Sequence, residues 1–427
     1  MPWVCDALTR PFAALAGSFN TPPISGPPQI PQTTAPGPAQ RAAGGFLLAA
    51  APSLCGTSPE HMSAEGLQDS ATDPGVRLLA AAVQQLDPRD VLLVHSGPLP
   101  GLRPGATRLI LDVRERDDAA GTTCVAASLG TPAVGGAAPA VILEPRFAAA
   151  VVWPRAHLGK DFSEACLALG AAALRPGGRL YCAVRKAKGG PSLARAMSEL
   201  CGSVDVVERD AGYFLYMSEK TAAFTADAVK SRLEVEYEVT DPLLGPVPLL
   251  AVPGVFCRKH LDDGTRALLA KLEELDVLAG RPPRQVLDLG AGIGPLGLWA
   301  MRRWPDAKLL AVESNYLAAA LVRENAARLG SASRVEVLAS DGLPETGPQR
   351  GRIDLALVNP PTHAEPAAFA AMLTPLRAWL RPGAPAWFVV NRANMLAQVL
   401  KKAGAELEAH DVPGFTLVRA TWPQGQV

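Results

Sequence analysis

A glycine-rich string and three acidic residues stand where strands of this sequence are expected to end. The string VLDLGAGIGPLG runs from an apolar stretch into a helical segment, and its glycines would bring backbone N–H groups and a helix N-terminus close to a ligand. Two further acids end the next two apolar runs, where carboxylates can accept hydrogen bonds from ribose hydroxyls and an adenine amine. The candidate ligands of a nucleoside cofactor are Asp288, Gly290, Gly292, Gly294, Glu313 and Asp341.

The segment LVNPPTH, residues 357–363, follows a fourth apolar run and contains two consecutive prolines. Neither proline offers a backbone N–H to a neighbouring strand, so the chain must leave the sheet at Asn359. The side-chain carbonyl of Asn359 and the carbonyl of Pro360 can then both accept hydrogen bonds from one planar –NH2 group. This would aim the nitrogen lone pair at a sulfonium methyl group, with no strong base required. The glycine-rich string and the three acids alone would fit either a dinucleotide or S-adenosylmethionine. The corner favours S-adenosylmethionine and makes Asn359, Pro360 and Pro361 the candidate catalytic residues.

Apolar runs alternating with Ala/Leu-rich helical stretches surround both features. The alternation begins near residue 75 and again after residue 260, which is typical of parallel sheets with crossover helices. VVWPRAH, residues 151–157, matches LVNPPTH, and the offset of 206 positions between His157 and His363 continues without a gap into the later Arg-Pro-Gly segments. We therefore predict two α/β domains related by internal duplication. The predicted parts are a disordered Pro-rich extension (1–74), a degenerate domain (75–220) and a catalytic domain (221–427).

The first copy lacks the residues that carry chemistry in the second. Its counterparts of Asp288, Gly290, Gly294 and Asn359 are Leu93, His95, Leu99 and Trp153. We therefore expect no cofactor in this copy and predict a role in substrate binding. A basic segment, VRKAKGG, ends its last matched strand and fits either phosphate contacts or a solvated edge. The candidate substrate-binding residues of this segment are Arg185, Lys186 and Lys188.

Composition and charge narrow the class of protein. With 41 basic and 41 acidic residues the net charge is zero, so any RNA-binding surface must be local. The seven cysteines are scattered and never in Cys-x-x-Cys spacing, so we expect a reducing compartment and no metal site. No apolar run approaches the roughly 20 residues that cross a bilayer, so we expect no membrane contact. We expect a monomer in the cytoplasm.

Residues 1–74 are rich in proline and poor in acidic residues. Such a stretch cannot bury enough apolar surface to fold, so a disordered tail is the preferred interpretation. Two alternatives stay open. One is an organellar transit peptide, which would change the expected location, and the other is a translation start misplaced upstream of Met62.

Together these segments resemble the bacterial ribosomal RNA small subunit methyltransferase C family and its large-subunit relatives, which modify guanine N2. The resemblance rests on PGVFCRKHLDDGT (253–265), LDLGAGIGPLG, VNPPTH and the degenerate first copy, and it covers residues 75–427. It implies two tandem Rossmann-like class I methyltransferase domains. The second would bind S-adenosylmethionine and methylate guanine in ribosomal RNA, while the first helps to hold RNA or a ribosomal subunit. Phe256 would cap the pocket. Thr362 and His363 complete the candidate substrate site, although His363 also fits a structural, hydrogen-bonded role.

One position departs from the family pattern. The family usually carries an aromatic residue after the two prolines, to stack on the target base, and this sequence has Thr362. Losing a stacking contact worth roughly 1–3 kcal/mol would weaken substrate capture tens of fold unless Phe256 or Phe369 supplies another ring. The alternative functions are methylation of adenine N6 or of a protein glutamine, and an RNA-binding relic without turnover.

Overall fold

The computed structural model describes residues 73–116, 145–275, 280–361 and 364–423, together with the backbone of 123–126. The predicted extension 1–74 therefore lies outside the described residues except for Asp73 and Pro74. Asp73 caps the first helix, because its carboxylate accepts a 2.7 Å hydrogen bond from the N–H of Gly75. No helix in the described residues is long and apolar enough to cross a membrane.

The first half of the chain contains a seven-stranded mixed sheet with the spatial order β3-β2-β1-β4-β5-β7-β6. Strands β1 to β5 run parallel, β7 is antiparallel to β5, and β6 is antiparallel to β7. The strands are β1 Val91–Val94, β2 Thr107–Ile110, β3 Thr123–Ala126, β4 Phe147–Val152, β5 Leu174–Arg185, β6 Asp205–Asp210 and β7 Tyr213–Glu219. The helices are α1 Pro74–Val83, α2 Lys160–Ala173 and α3 Gly190–Cys201.

The second half contains another seven-stranded sheet, with the order β12-β11-β10-β13-β14-β16-β15. Helix α4 Ala226–Leu233 and the two-stranded sheet of β8 Tyr237–Val239 and β9 Leu249–Ala251 precede it. Its strands are β10 Gln285–Leu289, β11 Lys308–Glu313, β12 Val335–Ala339, β13 Leu355–Val358, β14 Ala386–Val390, β15 Glu406–Val412 and β16 Phe415–Thr421. Its helices are α5 Asp263–Glu274, α6 Pro295–Arg303, α7 Tyr316–Arg328, α8 Pro366–Leu373, α9 Leu376–Trp379 and α10 Ala393–Lys402.

Two inner strands, β1 in the first sheet and β13 in the second, are buried along their whole length. VLLV in β1 and LALV in β13 show no exposed residue, as parallel strands covered by helices on both faces require. The prediction of an α/β fold with a Rossmann-like sheet is confirmed. The antiparallel strands that end each sheet were not predicted, since the sequence comparison stopped at the fifth strand.

The two sheets share their strand order and their register. Val94 pairs with Val152 in the first sheet, and Leu289 pairs with Val358 in the second, so Trp153 and Asn359 follow equivalent strand ends. The shared register is compatible with the predicted duplication. It also identifies a replacement that the sequence did not reveal. The N–H of His95 donates to the carbonyl of Leu109, and the N–H of Gly290 donates to that of Val312. Leu109 and Val312 are therefore equivalent, and the residues that follow them, Ile110 and Glu313, correspond.

A short seam of backbone hydrogen bonds joins the two halves. The N–H of Val113 donates to the carbonyl of Ser314 over 2.9 Å, and the N–H of Tyr316 donates to that of Leu111 over 2.8 Å. The hydroxyl of Ser314 also donates to the Asp112 carboxylate, at 2.8 Å. This seam begins directly after Glu313, and it therefore places residues of the first half beside the candidate cofactor crevice.

Candidate active site

The glycine-rich loop turns sharply between β10 and α6. Gly290, Gly292 and Gly294 all have positive φ, between 56° and 94°, a region that side chains with a Cβ rarely adopt. Gly292 N–H donates to the carboxylate of Glu313 over 2.7 Å, and Gly294 stands at the N-cap of α6. The loop thus joins the ends of β10 and β11 and presents a helix N-terminus at the crevice, as the sequence predicted.

Asp288 lies at the bottom of this crevice and is only 1% exposed. One carboxylate oxygen accepts a 2.7 Å hydrogen bond from the N–H of Gly297, while the other has no hydrogen-bond partner among the described residues. Burial raises the pKa of Asp288 to about 7, and the charge of Glu313 acts in the same direction. An unpaired buried carboxylate oxygen costs folding free energy, so it indicates a place where a ligand would supply a donor.

The other two acids follow the neighbouring strands. Both oxygens of Glu313 accept backbone hydrogen bonds, from Gly292 and, at 2.8 Å, from Asn315; burial nevertheless raises the pKa of Glu313. Asp341 follows β12 with a largely exposed side chain, and Arg114 from the first half approaches it at 3.9 Å. The parallel register of β10, β11 and β12 brings all three acids to one sheet edge. These contacts are compatible with their predicted roles.

Asn359 leaves the end of β13 with both amide hydrogens engaged. Its Nδ2 donates to Oδ2 of Asp262 over 2.8 Å and to Oγ1 of Thr265 over 2.9 Å. Among the described residues, no donor contacts the side-chain carbonyl oxygen of Asn359. Pro360 is buried behind it and Pro361 is exposed. The corner therefore keeps an acceptor available, as the predicted amine chemistry needs.

The predicted substrate contacts fall into two groups. Thr362 and His363 lie outside the described residues, so their roles stay predictions. Phe256 is 62% exposed, and its loop is held by Arg258, which makes two hydrogen bonds of 3.0 and 2.8 Å to the carboxylate of Asp161 on α2. Phe369 is 1% exposed within the core, so the option that it replaces the missing stacking ring is wrong, and Phe256 is left as the available ring.

The equivalent crevice of the first half is filled by side chains. Trp153, at the position of Asn359, stacks on Tyr213 with ring centroids 6.1 Å apart, and Leu93 is buried in the same apolar cluster. His95 is also buried, its ring packs against Phe162, and burial lowers its pKa well below the ordinary value. Ile110 replaces the strand-end acid, so within the described part of the chain no carboxylate occupies the position that corresponds to Glu313.

The basic segment of the first half is exposed and lies close to this filled crevice. Arg185, Lys186 and Lys188 are all exposed, at the end of β5 and in the turn that follows it. The guanidinium of Arg185 lies over the ring of Tyr213, 4.9 Å from its centroid, on the side chain that also packs against Trp153. The position is compatible with the predicted phosphate contacts.

Sequence reasoning missed three residues at the site. Asp262 and Thr265 orient Asn359, although a signal was present in LDDGT, because Asp-x-x-Thr before an apolar helix is an N-cap pattern. Arg114 comes from the degenerate half, and no sequence pattern links it to Asp341. In the described residues no group of three or more His, Cys, Asp or Glu side chains could hold a metal ion.

The strand order, the glycine loop after the first strand of the sheet and the acids at adjacent strand ends define the class I methyltransferase fold. Residues 246–418 match the family model "Methyltransferase small domain". The resemblance identified from the sequence is thereby confirmed.

Similar proteins bear ribosomal RNA methyltransferase names. The ribosomal RNA large subunit methyltransferase G of Stutzerimonas stutzeri is 36% identical over 199 residues, which are 45% of this chain and 50% of that protein. The small subunit methyltransferase C of Hahella chejuensis is 34% identical over 162 residues, or 36% of this chain and 44% of that protein. The chain thus aligns with about half the length of these relatives.

A solved structure extends the likeness in fold to both halves. The T. thermophilus 16S rRNA N2 methyltransferase, in complex with AdoMet and guanosine, superposes with a TM-score of 0.64 at 24% sequence identity. The superposition covers 82% of this chain and 92% of that one. The arrangement of two sheets in one chain is therefore shared with a known protein.

Proposed function

We propose that this protein transfers a methyl group from S-adenosylmethionine to the exocyclic N2 amine of a guanine in ribosomal RNA. The observation that carries the proposal is the orientation of Asn359, whose amide hydrogens are both engaged so that its carbonyl oxygen is available to accept. A hydrogen-bond acceptor at the end of β13, beside a nucleoside crevice, fits an amine substrate. The names of the relatives support ribosomal RNA as the molecule that carries this amine.

The crevice residues fit the proposed cofactor. One buried oxygen of Asp288 has no hydrogen-bond partner among the described residues and could accept from the cofactor. The glycine loop lets the cofactor approach the backbone closely beside Glu313. In this proposal Glu313 accepts from the ribose hydroxyls, and Asp341 accepts from the adenine amine. The bound cofactor would supply an electrophilic methyl group on a positively charged sulfur.

The catalytic corner works by positioning the amine. The side-chain carbonyl of Asn359 and the carbonyl of Pro360 accept its two hydrogens, which draws the nitrogen lone pair out of conjugation with the ring. The two prolines hold the corner rigid, because each fixes its own φ. The methyl group would leave the sulfur, which becomes a neutral thioether, as it bonds to the amine nitrogen. The nitrogen would then lose one proton to water, so a dedicated base is not required.

The first half would serve as the RNA-binding part of the enzyme. Its crevice is filled, while Arg185, Lys186 and Lys188 form an exposed basic segment suited to phosphate contacts. We propose the division made from the sequence, with residues 75–220 as the degenerate copy and 221–427 as the catalytic copy. The proposed partner is ribosomal RNA or a ribosomal subunit, bound by a cytoplasmic monomer.

The test uses S-adenosylmethionine with a labelled methyl group, wild-type protein and Asn359→Ala. Total ribosomal RNA, separated subunits and a protein extract are offered in parallel, and the RNA is digested to nucleosides. We expect label in N2-methylguanosine that is lost with Asn359→Ala. Label in N6-methyladenosine or in methylglutamine would move the activity to another amine. A folded protein that binds the cofactor but labels nothing would leave an RNA-binding relic.

A further inference from the structure

We propose that Asp262 and Thr265 set the polarity of the catalytic amide and so restrict the site to substrates that donate hydrogen bonds. The inference rests on the proposed function and adds two positioning residues to it. Its basis is the pair of contacts to Nδ2 of Asn359, at 2.8 Å from the Asp262 carboxylate and 2.9 Å from the Thr265 hydroxyl.

The carboxylate decides which way the Asn359 amide points. An ionised carboxylate only accepts hydrogen bonds, so the –NH2 end of the amide must face Asp262. The opposite rotamer would bring two acceptor oxygens together at hydrogen-bond distance. With Thr265 taking the second amide hydrogen, the –NH2 group is saturated and the carbonyl oxygen is the free end.

This choice has chemical consequences because the two ends of an amide have nearly the same shape and opposite polarity. With its carbonyl exposed, Asn359 accepts from an amine together with the carbonyl of Pro360. With its –NH2 exposed, it would oppose an amine and favour an acceptor, such as a ring nitrogen or a carbonyl oxygen. Asp262 and Thr265 therefore select the chemical class of the target atom without touching it.

Asp262 and Thr265, which together anchor the amide of Asn359, are held in place by secondary structure. Oδ2 of Asp262 also accepts a 2.9 Å hydrogen bond from the N–H of Thr265, which makes Asp262 the N-cap of α5. Gly264 allows this turn to pack closely, since a Cβ there would stand 3.1 Å from Oδ2 of Asp262 and 3.2 Å from Val389. The same oxygen thus caps the N-terminus of α5 and orients Asn359, so its position is fixed by the packing of α5.

The kinetic test separates the two roles of Asp262, which caps helix α5 and accepts a hydrogen bond from the amide of Asn359. Asp262→Ser retains a capping oxygen but is too short to reach Asn359, and Thr265→Val removes the hydroxyl at nearly constant shape. For the double variant we expect kcat to fall roughly 10- to 100-fold, as expected for the loss of hydrogen bonds that fix a catalytic group. The affinity for S-adenosylhomocysteine should stay within about twofold, because none of the hydrogen bonds of these two side chains is to Asp288, Glu313 or Asp341.

Two further variants act as controls. Asp262→Asn should retain most of the activity, because the helix cap keeps its carbonyl oxygen at the shared acceptor position. Asp263→Ser changes the next residue of the same turn, whose side chain is 76% exposed, and should leave kcat unchanged. A double variant with wild-type kcat on a methylatable RNA would overturn the proposal.

A second readout does not depend on activity. The sequence has six asparagines, so labelling asparagine with 15N gives few side-chain amide signals, and Asn359→Ala identifies the one that matters. We expect slow hydrogen exchange of the Asn359 –NH2 in the wild type and exchange faster by tenfold or more in the double variant. Rapid exchange in the wild type would overturn the anchor. A protected –NH2 in a protein that methylates no RNA would support the anchor and refute the proposed function.

Discussion

Replacing Asp288 by asparagine should make the ligand-free protein more stable at alkaline pH while weakening cofactor binding. The Asp288 carboxylate is buried, one oxygen has no partner among the described residues, and burial raises its pKa from the ordinary 3.8 to about 7. An acid with a raised pKa stabilises the fold while it is protonated. That contribution is fully present below pH 3.8 and is lost as the pH rises through about 7.

The magnitude follows from the size of the pKa shift. A rise of about three units corresponds to about 4 kcal/mol at alkaline pH, at 1.36 kcal/mol per unit. Asparagine avoids this cost and still accepts from Gly297, but its –NH2 replaces the unpaired oxygen and costs about 1–3 kcal/mol. For Asp288→Asn we therefore expect a net gain of about 1–3 kcal/mol at pH 8.5. At pH 5.5 the gain should be about 2 kcal/mol smaller, because the wild-type carboxyl is then largely protonated.

The assay is urea unfolding of the ligand-free wild type and Asp288→Asn at both pH values. Comparing the two proteins cancels the other groups that titrate on unfolding, including the buried His95. Asp341→Asn, which makes the same change on a side chain of the same crevice that is 64% exposed, is the matched control. A difference between wild type and Asp288→Asn that is the same at pH 5.5 and 8.5 would refute the reasoning.

Three further perturbations test other parts of the site. Phe256→Ala should lower kcat/KM for RNA roughly 10- to 100-fold, the value of one stacked base, with unchanged cofactor affinity in calorimetry; an unchanged kcat/KM would exclude stacking. Asp161→Asn should raise KM for RNA by releasing the Phe256 loop, and adding Arg258→Lys should cause little further change in the same kinetic assay; additive effects would show that the pair is not the anchor. Arg114→Ala should lower the free energy of unfolding by about 1–3 kcal/mol near neutral pH, because the guanidinium keeps the pKa of the Asp112 carboxyl low. Since a lowered pKa stabilises above the ordinary pKa of aspartate, this loss should shrink in unfolding measurements as the pH falls below about 4.

The sequence predicted that the acids follow strand ends, because its pattern of apolar runs and helices is that of a parallel sheet. Asp288 and Glu313 end neighbouring strands, and adjacent parallel strands must deliver their ends to one edge. The match of Trp153 with Asn359 also agrees with the structure, because the strands that precede them have the same register in both sheets. The spacing of apolar residues is a local property, so it can be recognised in the sequence without knowledge of the packing.

Other features depended on packing and could not be predicted. Asp262 lies 97 positions from Asn359, and only the docking of α5 brings its carboxylate to the amide. The sequence left open that the ring of Phe369 is exposed, but in the structure Phe369 lies on α8 with its side chain buried in the core. Ile110 was missed because the first copy carries a different number of residues between its first two strands, which hides the correspondence until backbone hydrogen bonds reveal it.

The seam between the halves has a symmetry of its own. Counting onward from the equivalent positions Ile110 and Glu313, Asp112 and Asn315 correspond, and these two residues form an antiparallel bridge with each other. The flanking bonds are reciprocal, because Val113 donates to Ser314 as its counterpart Tyr316 donates to Leu111. Matching residues that bond to each other are the mark of an isologous interface, in which one patch meets its own copy about a two-fold axis. The chain therefore contains within itself the contact of a symmetric dimer, with one intact and one filled crevice on either side of the axis. The patch is already occupied by its own counterpart, so a second molecule could pair with it only by displacing half of this chain.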